Sequence, residues 1–226
     1  KFSYTDINRT LRAVPGINIQ EEDGFGLRPN IGLRGTGVER SSKITVMEDG
    51  VLMAPAPYAA PAAYYFPTIG RMQAIEILKG SSQIKYGPYT TGGAINLIST
   101  PIPEQFSGRM HLLGGSYGGR NLHAYVGNAH KNVAYLVETF QYKSNGFKVL
   151  DRGGNTGFDK KDYLAKLKIN TNPDAKIYQS LTFKVGQTQE TSNETYLGLT
   201  RRDFQENPYR RYAGSQEDVI TTEQTQ

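Results

Sequence analysis

Beyond residue 103 apolar and polar positions alternate. Phe106, Gly108, Met110 and Leu112 are separated by Ser107, Arg109 and His111, and Leu122, Ala124 and Val126 by His123 and Tyr125. Tyr163, Ala165, Leu167 and Ile169 interleave with Asp162, Lys166 and Lys168, and Leu181, Phe183 and Val185 with Thr182 and Lys184. A period of two puts each set on one face of a β-strand. Gly114-Gly115, Lys131-Asn132 and Asn172-Pro173-Asp174 break the runs with turn residues. Two of the strands are long, Val133–Gln141 and Lys176–Gln187. Short turns at 128–132 and 170–175 alternate with long linkers at 144–161 and 190–218. An outer-membrane β-barrel has that rhythm, with an oily outer face and a wet lumen. A soluble β-sandwich alternates too, and the pattern alone leaves both open.

The first 103 residues follow a different grammar. Ile7, Leu11 and Val14 recur at helical spacing behind Asp6, a plausible N-cap, and Pro15-Gly16 ends the segment. Ile17–Gln20 and Ile31–Gly35 read as short extended pieces. Lys43–Met47 runs into Glu48-Asp49-Gly50 and Val51–Met53. Asp-Gly between β-rich runs predicts a hairpin, because a type I′ turn needs φ > 0 at both central residues. Gly50 to Gly70 carries no charge, but Pro55, Pro57, Pro61 and Pro67 exclude a spanning helix and predict an extended loop. Two more β-like runs follow, Ala74–Leu78 and Ala94–Ser99. The segment between them is punctuated by Gly80, Gly87, Pro88, Gly92 and Gly93, where glycine allows positive φ and close backbone approach. Pro101-Ile102-Pro103 ends the last run. The expected division is an α+β domain over 1–103 and strands over 104–226.

Composition narrows the possibilities. The 226 residues include no cysteine and no tryptophan, but 25 glycines, 15 tyrosines and 9 phenylalanines, a strand-and-turn mixture. Without cysteine there are no disulfides, thiolate metal sites or thiol nucleophiles. The net charge of +5 is scattered rather than gathered into a phosphate-tracking face, so no nucleic-acid partner is expected. Lys1–Asp6 has no apolar core of a signal peptide. His111, His123 and His130 lack the spacing of a metal site, and no metal site is expected. The acidic run Glu21-Glu22-Asp23 reads as a solvated turn. No nucleophile elbow, phosphate-binding loop or acid–base pair is present, so no catalytic residue is assigned and an enzyme is not expected.

The block Glu76-Ile77-Leu78-Lys79-Gly80, Tyr86-Gly87 and Gly92-Gly93-Ala94-Ile95-Asn96 strongly resembles the pattern that closes the plug domain of TonB-dependent outer-membrane receptors. Pro15–Ile19, Asn30–Gly35 and Val46–Val51 resemble that family's earlier elements, in the same order, from about residue 10 to 103. Within the family the chain is most similar to ferric dicitrate-type receptors, through Arg34-Gly35, Ala56-Pro57-Tyr58 and Asn207–Ala213. The resemblance implies an α+β plug domain followed by antiparallel transmembrane β-barrel strands, an incomplete barrel of roughly five or six strands at about ten residues each. A complete barrel of about 22 strands has a lumen too wide for side chains to fill, hence the plug.

By the same resemblance, Arg34 and Lys79 pair with barrel carboxylates and lock the plug to the wall, the partners expected beyond residue 226 or among the few carboxylates here, such as Glu138. Lys79 stands where the family more often has arginine, and lysine cannot make the bidentate fork. The plug's outward loops are expected to bind ligand through Arg40, Ser41, Ser42 and Lys43 and through Tyr58, Tyr64 and Tyr65. Gly35, Gly50, Gly80, Gly87, Gly92 and Gly93 are the plug-motif glycines. Cations with hydroxyls suit an anionic chelate. Ala59, Ala60, Ala62 and Ala63 stand where the dicitrate receptor carries polar residues, which argues against citrate itself. The implied partners are a TonB-type energy-transducing protein, gripping a segment before Lys1, outer-membrane lipid and a small anionic iron chelate. There is no intrinsic cofactor, and ferric iron enters only within the transported chelate. The implied location is the outer membrane of a Gram-negative bacterium. A statically plugged porin-like or adhesive barrel is the alternative, with a soluble β-rich binding module behind it.

Overall fold

The computed structural model describes residues 4–53, 65–87, 90–151, 153–172, 174–193, 198–211 and 219–225. The chain divides into two compact units, Lys1–Pro101 and Ile102–Gln226.

The first unit opens with α1 (Ile7–Leu11), a single turn and a half rather than the longer helix the spacing suggests. Asp6 caps it, its carboxylate accepting from Asn8 N at 2.8 Å. Ile7 and Leu11 lie on one face, and both are fully buried. Strands β1 (Ile17–Gln20) and β2 (Asn30–Leu33) form an antiparallel pair of their own. A four-stranded mixed sheet holds the rest: β3 (Ile44–Glu48), β4 (Val51–Leu52), β5 (Met72–Leu78) and β6 (Gly93–Ser99), in the order β4-β3-β6-β5. The central β3 and β6 run parallel, Ile44 opposite Gly93 and Glu48 opposite Leu97. A parallel pair is usually covered on both faces, and every residue of β3 is buried. Ile44, Val46, Ile95 and Leu97 pack with Ile7, Leu11, Ile31, Leu33, Phe66, Ile69 and Met72 in one core.

The Asp-Gly hairpin forms between β3 and β4, with φ of 52° at Asp49 and 82° at Gly50. It does more than turn the chain. Asp49 Oδ1 accepts from Ser99 N at 2.9 Å, and Gly50 N donates to Asn96 Oδ1 at 2.9 Å. Asn96 Nδ2 in turn reaches Glu76 Oε2 at 2.8 Å. The turn is thereby fastened to β6 and β5.

This unit buries a charge pair. The Arg71 guanidinium forks onto Glu48, Nη1 to Oε1 at 2.7 Å and Nη2 to Oε2 at 2.9 Å, with side-chain exposures of 2% and 0%. The Arg71 carbonyl accepts from Thr100 Oγ1 at 3.1 Å.

In the second unit six antiparallel strands follow one another, with neighbours paired in sequence. They are β7 (Ser107–Gly114), β8 (Arg120–Ala129), β9 (Val133–Ser144), β11 (Phe158–Asn170), β12 (Ser180–Asn193) and β14 (Val219–Thr225). The two-residue β10 (Val149–Leu150) and β13 (Arg210–Arg211) form a separate parallel pair, and α2 (Arg201–Glu206) lies before β13. The alternation read from the sequence holds. Met110, Leu112, Val126, Val137, Tyr163, Leu167, Ile169, Leu181, Phe183 and Val185 are exposed. On the opposite face Leu136, Glu138, Phe140, Lys160, Asp162, Leu164, Thr188 and Glu190 are buried. Their carboxylates have partners: His123 Nε2 meets Glu138 Oε1 at 2.7 Å, Lys160 Nζ meets Glu190 Oε2 at 3.0 Å and Thr188 Oγ1 donates to Asp162 Oδ2 at 2.9 Å. β12 begins at Ser180, so Ile177 and Tyr178 lie in the turn before it. No helix among the described residues is long and apolar enough to cross a membrane, which does not bear on crossing by strands.

Removing one member of a buried ion pair leaves the other charge without its counter-charge, at about 3–5 kcal/mol. Glu48→Gln or Arg71→Met should each lower the stability of the first unit by roughly that amount, read as a fall in urea midpoint. The double replacement should recover much of the loss; two fully additive penalties would show that the pair acts independently.

Candidate functional site

The loop after β2 is built from polar side chains folded back on the backbone. Arg34 adopts φ of 58°, and its N–H donates to the Gly16 carbonyl at 2.9 Å. Thr36 Oγ1 donates to the Leu33 carbonyl at 2.9 Å, closing the turn. Arg40 and Ser41 then take φ of 50° and 53°, two successive non-glycine residues in the left-handed region. Such residues cost of order 1 kcal/mol or more each and persist only where surrounding bonds impose them. Here Asn30 Oδ1 accepts from Arg40 N at 2.8 Å. The Ser41 hydroxyl donates to the Pro29 carbonyl at 2.9 Å and accepts from Ile31 N at 3.0 Å.

The four residues expected to bind ligand on this loop therefore divide. Ser41 is fully buried and holds the loop to β2. Arg40 is half-buried, and Nη1 meets Glu22 Oε2 at 3.1 Å. Ser42 is half-buried and Lys43 exposed, the Lys43 carbonyl accepting from Gly92 N at 2.8 Å. On the second loop Tyr65 is 3% exposed, beside the core residue Phe66. Tyr58 and Tyr64 lie outside the described residues.

Arg34 and Lys79 converge on Pro15-Gly16. The Lys79 ammonium donates to the Pro15 carbonyl, while the Arg34 backbone holds Gly16. Both side chains are exposed, and neither makes an ion pair among the described residues. Glycine is needed between them: a Cβ on Gly93, at φ of 152°, would stand 2.5 Å from Leu33 Cδ1 and 2.7 Å from the Leu78 carbonyl oxygen. A Cβ on Gly92 would stand 2.7 Å from Thr36 Oγ1. The glycine pair lets β6 start flush against β2 and β5. Gly35, Gly80 and Gly87 also take positive φ, the last two flanking the 3-10 turn Ser81–Tyr86.

The acidic turn at 21–23 is organised rather than simply solvated. Glu21 pairs with Arg12 at 2.8 Å and Glu22 with Arg40. Asp23 accepts from Gly26 N at 2.7 Å, from Arg28 N at 2.9 Å and from Phe25 N. Burial pushes the Asp6 carboxyl above the usual carboxylate range; the Asn8 amide opposes this, and the charges of Glu21 and Asp23 add to it. Sequence reasoning missed Glu48–Arg71 and Glu22–Arg40; the only available signal was a carboxylate ending a run as apolar as Ile44–Met47. Among the described residues no group of three His, Cys, Asp or Glu side chains is placed to hold a metal.

Ser41→Ala should destabilise the first unit by about 1–3 kcal/mol, because it strands a buried amide and a buried carbonyl; equal denaturation midpoints would rule out the anchoring role. Ionising Asp6 costs more in the folded chain than in the unfolded one, so the penalty grows as pH rises from the ordinary carboxylate range through the raised native value and is complete at neutral pH. Asp6→Asn keeps a good cap without the charge. It should raise stability at pH 7 and flatten the stability profile across that window; a loss at pH 7 would refute the assignment.

Residues 1–94 match the family described as TonB-dependent Receptor Plug Domain. Among solved structures the chain is similar to the pyoverdine outer-membrane receptor FpvA from Pseudomonas aeruginosa, at 20% identity and a TM-score of 0.66 over 84% of this chain and 26% of that one. It is similar to the ferric citrate transporter FecA, at 22% and 0.66 over 89% of this chain and 31% of that one. The ferric yersiniabactin uptake receptor FyuA from Yersinia pestis matches at 19% and 0.67, over 85% of this chain and 30% of that one. The chain thus spans between about a quarter and a third of the receptors it resembles in fold. Over its first 94 residues the chain thus matches the plug-domain family model, and the strands that follow share the antiparallel fold of those receptors.

Proposed function

We propose that this chain forms the plug and first wall strands of an outer-membrane receptor of a Gram-negative bacterium, which imports a small anionic iron chelate with energy delivered by a TonB-type protein. The observation that carries the reading is the family match of the first unit, combined with the character of the strands after it. A plug domain is joined to a sheet whose exposed face is apolar over Val126, Val137, Leu167, Ile169, Phe183 and Val185. An apolar strand face of this extent suits lipid, and the hydrogen-bonded charged and polar side chains on the opposite face suit a wet lumen. The similar receptors are named for pyoverdine, ferric citrate and ferric yersiniabactin, which favours a metal chelate as cargo. Arg40 and Lys43 supply cations for its anionic groups, with Tyr58 and Tyr64 as further candidates. Ser41 holds its loop to β2. Arg34 and Lys79 share one end of the plug and would meet wall carboxylates there. A plug held by polar contacts is loosened more readily than one packed as a continuous core.

Uptake of radioactive iron by cells, presented with a panel of ferric chelates, tests the reading. Uptake of at least one chelate should require this protein and stop when the proton gradient is collapsed. Uptake that continues without the gradient would favour a static plug. Arg34→Ala should raise single-channel leak of the full receptor, and unchanged recordings would reject the lock. Arg40→Ala should weaken binding of the imported chelate about tenfold, the scale of one charge-assisted contact.

A further inference from the structure

The exposed face of the six-stranded sheet changes character from one end to the other, and the change follows the strand register. Tyr135, Leu167 and Phe183 are register partners in one row. The next row toward the β9–β11 connection is Val126, Val137, Ala165 and Val185, and the one after it Ala124, Thr139, Tyr163 and Gln187. Beyond them stand Gln141, Lys161 and Gln189, and last Arg120, Lys143, Asp159 and Thr191. Alternate residues of a strand share a face, so all of these project to one side. Bulky apolar groups thus give way to small ones, and these to amides, hydroxyls and cations. Where the small residues lie the face is hollowed. An open cavity of about 780 Å³ has Ala124, Val126, Val137, Thr139, Ala165 and Val185 in its lining. That volume takes a small ligand or part of a lipid.

Ser144, Phe158 and Ser192 are successive register partners, and Asn193 faces Val219, so the β9–β11 and β12–β14 connections both leave the sheet at its polar end. The basic residue that joins those connections is engaged: β10 pairs with β13, and Arg210 forks onto Asp151 at 3.0 Å and Asp203 at 2.8 Å. The cations of the sheet face are not held in this way. Arg120 and Lys161 are exposed and make no ion pair among the described residues. Lys143 meets Asp159 at 3.5 Å, both partly exposed, a pair weak enough to exchange. Arg120 and Lys161 flank β9 at roughly 10 Å or more, with Lys143 between them.

We propose that this end of the exposed face binds a phosphorylated glycolipid of the outer leaflet, with an acyl chain in the hollow and phosphates on Lys161, Arg120 and Lys143. The proposal rests on reading these strands as outer-membrane wall, and not on the cargo. Long connections of such a wall face outward, which sets the cations at the outer headgroup level. The hollow lies one to three rows from them, about 7–20 Å along the strands, the step from acyl chain to headgroup. One phosphate cannot meet both Arg120 and Lys161 across β9, whereas a sugar headgroup bearing two can. Gln141, Gln189 and Thr191 offer amides and a hydroxyl for its sugar hydroxyls, and the cations offer charge-assisted bonds to phosphate.

The full-length receptor in detergent is titrated by native mass spectrometry with three probes: a bis-phosphorylated diglucosamine glycolipid, the same glycolipid without phosphates, and phosphatidylglycerol. The wild-type protein should retain one copy of the first and hold the other two at least about tenfold more weakly. Arg120→Ala combined with Lys161→Ala should weaken that binding about tenfold. Ala165→Phe, which fills the hollow without touching a charge, should weaken it by a similar factor. Lys131→Ala, at an exposed lysine of the short-turn end, should change nothing. Equal retention of phosphatidylglycerol would overturn the choice of a glycolipid, and equal retention of the phosphate-free form would overturn the role of the cations. Binding that ignores both the charge and the hollow variants would overturn the site. Fractionation of the protein away from the outer membrane would remove the wall reading on its own account, while the titration still decides the site.

Discussion

The first unit turns on a charge pair enclosed by its own sheet. Glu48 ends β3, and Arg71 enters β5 from the other side of the sheet order, so their fork ties a central strand to an edge strand. Ionised groups out of water need near-ideal geometry, and the two parallel bonds of 2.7 and 2.9 Å meet that requirement. Around the pair lie Asp49 on Ser99, Asn96 between Gly50 and Glu76, and Thr100 on the Arg71 carbonyl. One end of the sheet is thus held by polar groups. The other is held by close approach, where Gly92 and Gly93 admit Thr36 and Leu33. The two ends respond differently to disturbance. Hydrogen-bonded ends exchange their partners for water as they open, whereas close-packed ends lose contacts that water does not replace.

How much of this was legible depends on range. The Asp-Gly hairpin, the cap at Asp6, the plug-motif glycines and the alternating strands are local signals, readable because turn chemistry and periodicity act over a few residues. The pairing of β3 with β6 in parallel is not, because it joins residues 44–48 to 93–97 through a long intervening segment. Nothing in Met47-Glu48-Asp49 announces that Arg71 will meet Glu48, for the same reason. The resemblance puts Ser41 on an outward loop, with its hydroxyl toward ligand. Its burial comes from the left-handed backbone at 40–41, a conformation no propensity scale assigns to Arg-Ser.

The candidate loop shows what that strain accomplishes. With Arg40 and Ser41 both left-handed, the chain doubles back so that Ser41 faces β2 while the Arg40 side chain points to Glu22. A carboxylate at 3.1 Å orients the guanidinium. An anionic ligand would compete with, or share, an arginine already aimed, which lowers the entropy lost on binding. A freely rotating surface arginine would not have that advantage.

The second unit applies the same economy to longer connections. Long loops between neighbouring strands would be independent and floppy if only their roots were fixed, because closure entropy rises slowly with length and little else restrains them. Here β10 and β13 supply backbone pairing too short to stand alone, and the Arg210 fork adds side-chain bonds too exposed to be strong alone. Each becomes effective because the other has already brought the two loops together. The sequence shows only Asn207-Pro208-Tyr209-Arg210-Arg211 and a distant Asp151. Their cooperation exists only once the strand register has placed both connections at the same end of the sheet.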